Sequence, residues 1–178
     1  MFQLLFPDVY VQNVFSIDID KLHKDKKING IIIDLDNTLV PWGKKFLDKR
    51  IVNWINKIKE KDLKICIVSN SHSSHVTEVG KILDIPYYSS RYKPLKKPFR
   101  EAMKIMNTVN KETAVIGDQI FTDVLGGNRL GLMTILVYPL KKHDAIGTRL
   151  LYRSLERLIM SFWIKHGKIR LVKGKWPE

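Results

Sequence analysis

Cysteine is almost absent from this chain. One cysteine, Cys66, stands among 178 residues. That excludes an internal disulfide and points to a reducing compartment such as the cytoplasm. Its neighbours Ile65 and Ile67 mark it as a buried strand residue rather than a nucleophile. Long apolar runs are also missing, and none reaches the roughly 18 residues of a membrane-spanning helix. The apolar opening "MFQLLFPDVYVQNVF" has no basic start and no small-residue cleavage site, so it does not read as a signal peptide. There is no internal repeat, no Gly/Ser linker and no Gly-x-Gly-x-x-Gly; the triplet Gly126, Gly127, Asn128 makes no dinucleotide loop. Negative charge is scarce as well. The chain has 18 acidic and 31 basic residues, a net charge of +13 and a pI of about 9.8. Such a balance favours an acidic partner: nucleic acid, anionic lipid or a phosphorylated substrate. The alternative is a lysine-rich surface with no partner at all.

The length favours one domain over residues 1–178, and 44% hydrophobic content is enough for a core. Ile31 to Leu35 reads as a fully buried strand. Asp48 to Lys61 has helical spacing, with Ile51, Trp54, Ile55 and Ile58 on one face. "LKICIVSN" (Leu63 to Asn70) is a second buried strand. A helix over Ser74 to Leu83 and a short strand near Tyr87 follow. Pro98 to Asn107 is a third helix, with proline suited to its first turn. "TAVIGD" (Thr113 to Asp118) is a strand, Phe121 to Leu130 a short helix stopped by Gly131, and "MTILVY" (Met133 to Tyr138) the last strand. Alternating strands and helices imply an α/β, Rossmann-like three-layer sandwich with a central parallel sheet. Its core spans about 28–140.

In such sheets ligands bind outside the carboxyl ends of the strands. Asp34 and Asp36 stand at one such end, in "GIIIDLDNTLVPW", with Thr38 at the same spacing. Ser69 and Asn70 end the next strand, and Asp118 ends "TAVIGD". A lone acid there is usually a turn or cap residue. Several in one crevice repel one another, and a hard divalent cation relieves the repulsion. With a metal present, one carboxylate can attack phosphorus while a neighbour serves as acid and then base. A hydroxyl and a lysine can hold the phosphoryl oxygens as their charge shifts.

"DLDNT" (Asp34 to Thr38), "VSN" (Val68 to Asn70), "YKP" (Tyr92 to Pro94) and "GDQIFTD" (Gly117 to Asp123) occur in this order. They resemble the four motifs of the haloacid dehalogenase-like (HAD) phosphatases. With "LLFPDVYVQNVFSID", "NTLVPW" and "TILVYPL", the likeness extends over nearly the whole chain to the YqeG-like phosphatases of HAD subfamily IIIA, which are related to the mitochondrial phosphatidylglycerophosphate phosphatases. The resemblance implies Asp34 as nucleophile and Asp36 as general acid/base, with its backbone carbonyl facing a Mg2+ ion. It implies phosphate binding by Thr38, Ser69 and Asn70, with Thr38 also supporting the loop that carries Asp34 and Asp36. Lys93 would neutralise the aspartyl-phosphate. Asp118 would be the second direct metal ligand, and Asp123 would help through metal-bound water or Lys93. Lys97, also ahead of a proline and a helix, is the alternative lysine.

Other residues admit blander readings. His72 and His75 lack a third ligand nearby in sequence and read as solvated loop histidines. Trp42 faces substrate or packs. Arg91, Lys96 and Arg100 contact an anionic substrate or line an ordinary solvated face. Neither Asp34–Ser69 nor Ser69–Lys93 is long enough for a separate cap domain, so the fold is expected without a large cap. "TRLLYRSLERLIMSFWIKHGK", about 147–166, reads as a basic amphipathic helix. Arg149, Arg153 and Arg157 lie on one face, and Leu151, Leu155, Leu158 and Phe162 on another. Such a helix lies in a membrane interface or packs on the sheet. Together with the family relation, these features point to an enzyme that dephosphorylates phosphatidylglycerophosphate to phosphatidylglycerol, peripheral on the inner face of a membrane. One alternative is the same chemistry on a soluble ester, a nucleic-acid end or a phosphoprotein. Another is a basic RNA-binding protein with vestigial catalysis, against which the complete set of acids and the lack of a stacking-aromatic motif both argue.

Overall fold

The computed structural model describes residues 2–41, 47–140, 148–167, 169 and 171–172, with backbone alone for residues 2, 148–153 and 157. Trp42 and the side chains of Arg149, Leu151, Arg153 and Arg157 therefore lie outside the described residues. Seven parallel strands form one sheet: β1 (Val9–Val11), β2 (Gly30–Ile33), β3 (Lys64–Ser69), β4 (Tyr87–Ser89), β5 (Thr113–Gly117), β6 (Met133–Val137) and β7 (Leu171–Val172). Their order is β4-β3-β2-β5-β6-β1-β7. β2, at the centre, pairs Ile33 with Ile67 on one side and with Ile116 on the other. That register aligns the carboxyl ends of β2, β3 and β5.

Helices cover both faces, which is why the central strands are apolar without alternation. On one face Ile31, Ile33, Ile65, Ile67 and Ile116 meet α1 (Ile19–Lys24), α2 (Lys49–Lys59) and α3 (Ser73–Leu83). α2 buries Ile51, Trp54, Ile55 and Ile58, the four positions expected from its spacing. Asp48 caps it by accepting from the Arg50 N–H at 2.8 Å. On the other face Ile32, Cys66, Val68 and Val115 meet Phe99, Ala102, Met103 and Met106 of α4 (Lys96–Met106). Cys66 is buried there, and burial pushes its thiol up to about 12.

Three parts differ from the sequence reading. β1 and α1 occupy the N-terminal stretch left unassigned, and β1 sits inside the sheet between β6 and β7. The helix expected over Phe121 to Leu130 is instead one π-helical turn, Ile120–Val124, followed by the short α5 (Leu125–Asn128). The wider turn lays Asp123 against Gly117, where an added Cβ would stand 2.3 Å from the Asp123 carboxyl carbon. The C-terminal helix, α6 (Thr148–Lys165), docks through Trp163, whose ring stacks on Phe6 at 4.0 Å. Glu156 of α6 accepts from the Phe121 N–H of the π-turn at 3.0 Å. Leu155, Leu158 and Phe162, expected as its apolar face, point to solvent, and Leu158 is 69% exposed.

α4 and α5 touch where Gly126 meets the fully buried Phe99 ring. A Cβ on Gly126 would lie 2.3 Å from that ring. Gly126→Ala is therefore expected to lower the unfolding free energy by about 1–3 kcal/mol, the usual cost of overpacking. Urea denaturation measures it, and an unshifted midpoint would show that the contact yields freely.

Candidate active site

β2 ends at Ile33, and the Asp34 N–H donates to the Ile116 carbonyl of β5 at 2.9 Å. The chain then turns sharply. Leu39 and Val40 N–H groups both donate to the Leu35 carbonyl, at 2.9 and 3.1 Å. Asn37 takes the left-handed conformation at φ 63°, which asparagine tolerates better than most residues. Its N–H donates to the Val40 carbonyl at 2.6 Å, and its own carbonyl accepts from Leu140 N–H at 3.0 Å. The turn leaves Asp34 and Thr38 buried at the sheet edge. The Thr38 hydroxyl has no hydrogen-bond partner among the described residues.

Lys93 reaches the same point from the loop between β4 and α4. Asn70, just past β3, fixes its backbone twice: the Asn70 Oδ1 accepts from Lys93 N–H at 3.1 Å, and Nδ2 donates to the Lys93 carbonyl at 3.4 Å. The Lys93 side chain is buried, and its ammonium donates to Asp34 Oδ1 at 2.5 Å, Asp123 Oδ1 at 2.7 Å and the Val68 carbonyl at 2.9 Å. These three bonds match the three donors of an ammonium. Asp123 Oδ2 accepts from Gln119 N–H and from the Thr122 hydroxyl, each at 3.2 Å. Asp118 is buried at the end of β5. Lys97, by contrast, is exposed on α4. Lys93 is thus the lysine that the fold brings to the acids.

Asp34, Asp118 and Asp123 each offer an oxygen within 4.8 Å of the others. Three buried carboxylates around one ammonium leave an excess of negative charge. Burial pushes the Asp34 carboxyl up to about 7; Lys93 pulls it down, while Asp123 and Asp36 push it further up. Burial works against the charge on Lys93 too, but Asp123 and Asp34 outweigh it and hold its pKa above the ordinary lysine range. A close set of hard oxygen donors with surplus negative charge fits a divalent cation.

Asp36 lies beside this cluster with different partners. Its Oδ2 accepts from the Ser71 hydroxyl, and His75 Nε2 stands 3.7 Å from its Oδ1. The Ser69 side chain is buried, and its Oγ accepts from Ser71 N–H at 3.2 Å. Sequence reasoning passed over Ser71 and treated His75 as solvated, yet His75 is half-buried against Asp36. Their position directly after Asn70 was the available signal; the partner, 35 residues earlier for Ser71, was not. His72 stays exposed, 3.3 Å from an Arg91 guanidinium nitrogen.

Solved structures share this architecture. A cobalt-bound deoxy-D-mannose-octulosonate 8-phosphate phosphatase (YrbI) from Haemophilus influenzae superposes with a TM-score of 0.51, at 18% identity over 66% of this chain and 70% of that one. The 3-deoxy-D-manno-octulosonate 8-phosphate phosphatase of Yersinia pestis does so with a TM-score of 0.51, at 15% identity over 66% and 67%. The fold is that of the HAD hydrolases, without a large cap among the described residues. The sequence likeness narrows this. The family described as "Mitochondrial PGP phosphatase" matches residues 2–140, and the chain belongs to that family. It is 40% identical over 99% of its length to "Probable phosphatase YqeG" of Bacillus subtilis (strain 168), covering 98% of that protein. It is 28% identical over 93% of its length to "Phosphatidylglycerophosphate phosphatase 1, chloroplastic/mitochondrial" of Arabidopsis thaliana, and spans half of that longer protein. The chain is a YqeG-like HAD phosphatase, which decides for an enzyme over the RNA-binding alternative.

Removing the Lys93 ammonium would leave Asp34 and Asp123 facing each other in the interior. In the presence of chelator, Lys93→Ala is expected to cost about 3–5 kcal/mol of stability, as for a broken buried ion pair. A divalent cation is expected to recover part of it. Lys97→Ala should change stability by less than about 0.5 kcal/mol, as for an ordinary surface site. Thermal unfolding of both variants with and without metal tests this, and equal small losses would contradict the charge argument.

Proposed function

We propose that the protein is a magnesium-dependent phosphomonoesterase that converts phosphatidylglycerophosphate to phosphatidylglycerol through an aspartyl-phosphate on Asp34. The observation that carries the reading is the buried Asp34–Lys93–Asp123 cluster at the carboxyl edge of the sheet, in a chain of the PGP phosphatase family. Magnesium held by Asp34, Asp118 and the Asp36 backbone carbonyl, with Asp123 behind them, would supply positive charge to the phosphoryl oxygens.

The chain's own groups carry the two half-reactions. The Asp34 carboxylate attacks phosphorus, and the bond from phosphorus to the glycerol oxygen breaks. Asp36, in its acid form, gives that oxygen its proton. Ser69 and Thr38 hydroxyls and Asn70 hold the phosphoryl group. The Lys93 ammonium, already bonded to Asp34, offsets the negative charge of the acyl phosphate. Asp36, now a carboxylate, takes a proton from water as the water oxygen attacks phosphorus. The bond between phosphorus and Asp34 then breaks, inorganic phosphate leaves, and both aspartates return to their starting states. The Ser71 hydroxyl, which donates to Asp36 Oδ2, orients that carboxyl for both transfers.

Two features support a substrate that stays in a bilayer. Among the described residues, the stretches Asp34–Ser69 and Ser69–Lys93 each hold a single helix and strand and no cap domain that would separate the site from a headgroup. α6 presents Leu155, Leu158 and Phe162 to solvent on a chain of net charge +13. No helix among the described residues is long and apolar enough to cross a membrane. The reading is therefore peripheral attachment: apolar side chains enter the interface while basic residues near an anionic surface contribute about 1 kcal/mol each.

Asp34→Asn is expected to release no phosphate from any ester, because an amide is a poor nucleophile. Asp36→Asn should be slower by about 10²–10⁴, the usual worth of general acid–base catalysis. EDTA should stop turnover and magnesium restore it, with Asp118→Ala raising the magnesium requirement more than Asp123→Ala. Phosphate-release assays read all of these, and full activity in Asp34→Asn would remove the nucleophile assignment.

Attachment is measured separately, by sedimentation with vesicles. Binding to anionic vesicles but not neutral ones is expected, weakening with salt. Replacing Leu155, Leu158 and Phe162 together by serine should reduce it. Equal pelleting with both vesicle types would argue against an electrostatic hold.

A further inference from the structure

A cleft of about 770 Å³ opens beside the acid cluster, at the carboxyl ends of β3 and β4. It meets the reaction centre through Ser71, which lines the cleft and donates to Asp36. Its composition is one-sided. Ser71, Ser73, Ser89 and Ser90 give hydroxyls, Arg91 and Lys97 give positive charge, and no acidic residue is among those lining it. Local hydrogen bonds make the wall a built surface: Ser89 Oγ donates to the Ser71 carbonyl at 3.1 Å, and Ser90 N–H to the Ser69 carbonyl at 2.9 Å. Tyr92 and Leu95, 66% and 50% exposed, form an apolar lip.

We propose that this cleft is the leaving-group subsite, and that Arg91 and Lys97 bind a second anionic group, a phosphodiester, carried on the same substrate as the reacting phosphomonoester. The inference rests on the phosphatase reading above and deepens it. Phosphotransfer at Asp34 places the departing alcohol next to Asp36, because Asp36 must protonate it. Ser71 ties Asp36 to the cleft, so the rest of the alcohol extends into it. Two strand spacings, about 10 Å, separate the ends of β2 and β4. A three-carbon polyol between two phosphates, met by a reaching arginine or lysine, spans that distance. Serine hydroxyls suit the polyol between them. A phosphate ester with no second charge leaves Arg91 and Lys97 without a ligand. The site therefore discriminates bisphosphorylated polyols from simple esters, with or without acyl chains.

The test compares three esters: the deacylated headgroup glycerophosphoglycerol phosphate, its dihexanoyl lipid, and p-nitrophenyl phosphate. The wild-type enzyme should prefer both glycerol esters by kcat/KM. Arg91→Ala and Lys97→Ala should each lower the preference for the headgroup over p-nitrophenyl phosphate about tenfold, the worth of a hydrogen bond to a charged group. The loss should fall on KM rather than kcat. Arg91→Lys should recover part of it, while Lys104→Ala, an exposed cation of α4 paired with Glu101 outside the cleft, should leave the preference intact. Equal loss on all three esters, or none, would overturn the assignment. So would a preference for the lipid that survives loss of both cations, since acyl contacts would then carry it. A wild-type enzyme that hydrolyses p-nitrophenyl phosphate without preferring the headgroup overturns the cleft and leaves the phosphatase standing. Release from none of the three overturns the underlying reading along with the cleft.

Discussion

The Lys93 ammonium, buried between Asp34 and Asp123, is the contact on which the sheet edge depends. Without it the carboxyl ends of β2 and the π-turn would bring like charges together in a low-dielectric interior. Much of the surrounding structure serves to place that one cation. Asn70 holds its backbone from the end of β3, the Val68 carbonyl takes its third hydrogen, and the missing Cβ of Gly117 lets Asp123 close from the far side. One ammonium does not balance three carboxylates, and the residual negative charge fits the site to a divalent cation.

Topology explains why residues so far apart in sequence meet there. β2 is central, so its end has a neighbour on each side: β3 brings Ser69 and Asn70, and β5 brings Asp118. The outer strand β4 adds the wall of the cleft. The acid cluster and the serine-lined cleft are thus adjacent on one edge, joined at Ser71. On the opposite flank α6 is anchored by Trp163 on Phe6 and by Glu156 on the π-turn, which couples the exposed apolar ridge to the segment carrying Asp123.

The sequence made the central strands and the covering helices readable because their patterns are long and unbroken. Ile31 to Ile33 and Ile65 to Val68 are apolar throughout, as strands buried on both faces are. Asp34 and Asp118 were readable because each stands at the end of such a run. β1 and β7 were not; β4, as short as β1, was readable only because it falls within the regular alternation of strands and helices. The π-turn was hidden because the contact it makes, Asp123 against Gly117, is tertiary. Ser71 and His75 were hidden for the same reason, as their shared partner Asp36 lies across the sheet edge. α6 is a helix, but the leucines named as its apolar face do not choose the buried side. An aromatic stack and one buried glutamate do, and they turn Leu155 and Leu158 outward.

The account stands on a covalent step at Asp34. Rapid quenching during turnover, followed by borohydride reduction and peptide mass spectrometry, measures that step directly. An acyl phosphate at Asp34 is reduced to homoserine, so the account predicts homoserine at position 34 in proportion to enzyme turning over, and none without substrate. Phosphate release with Asp34 unreduced, or homoserine at position 36 instead, would contradict it.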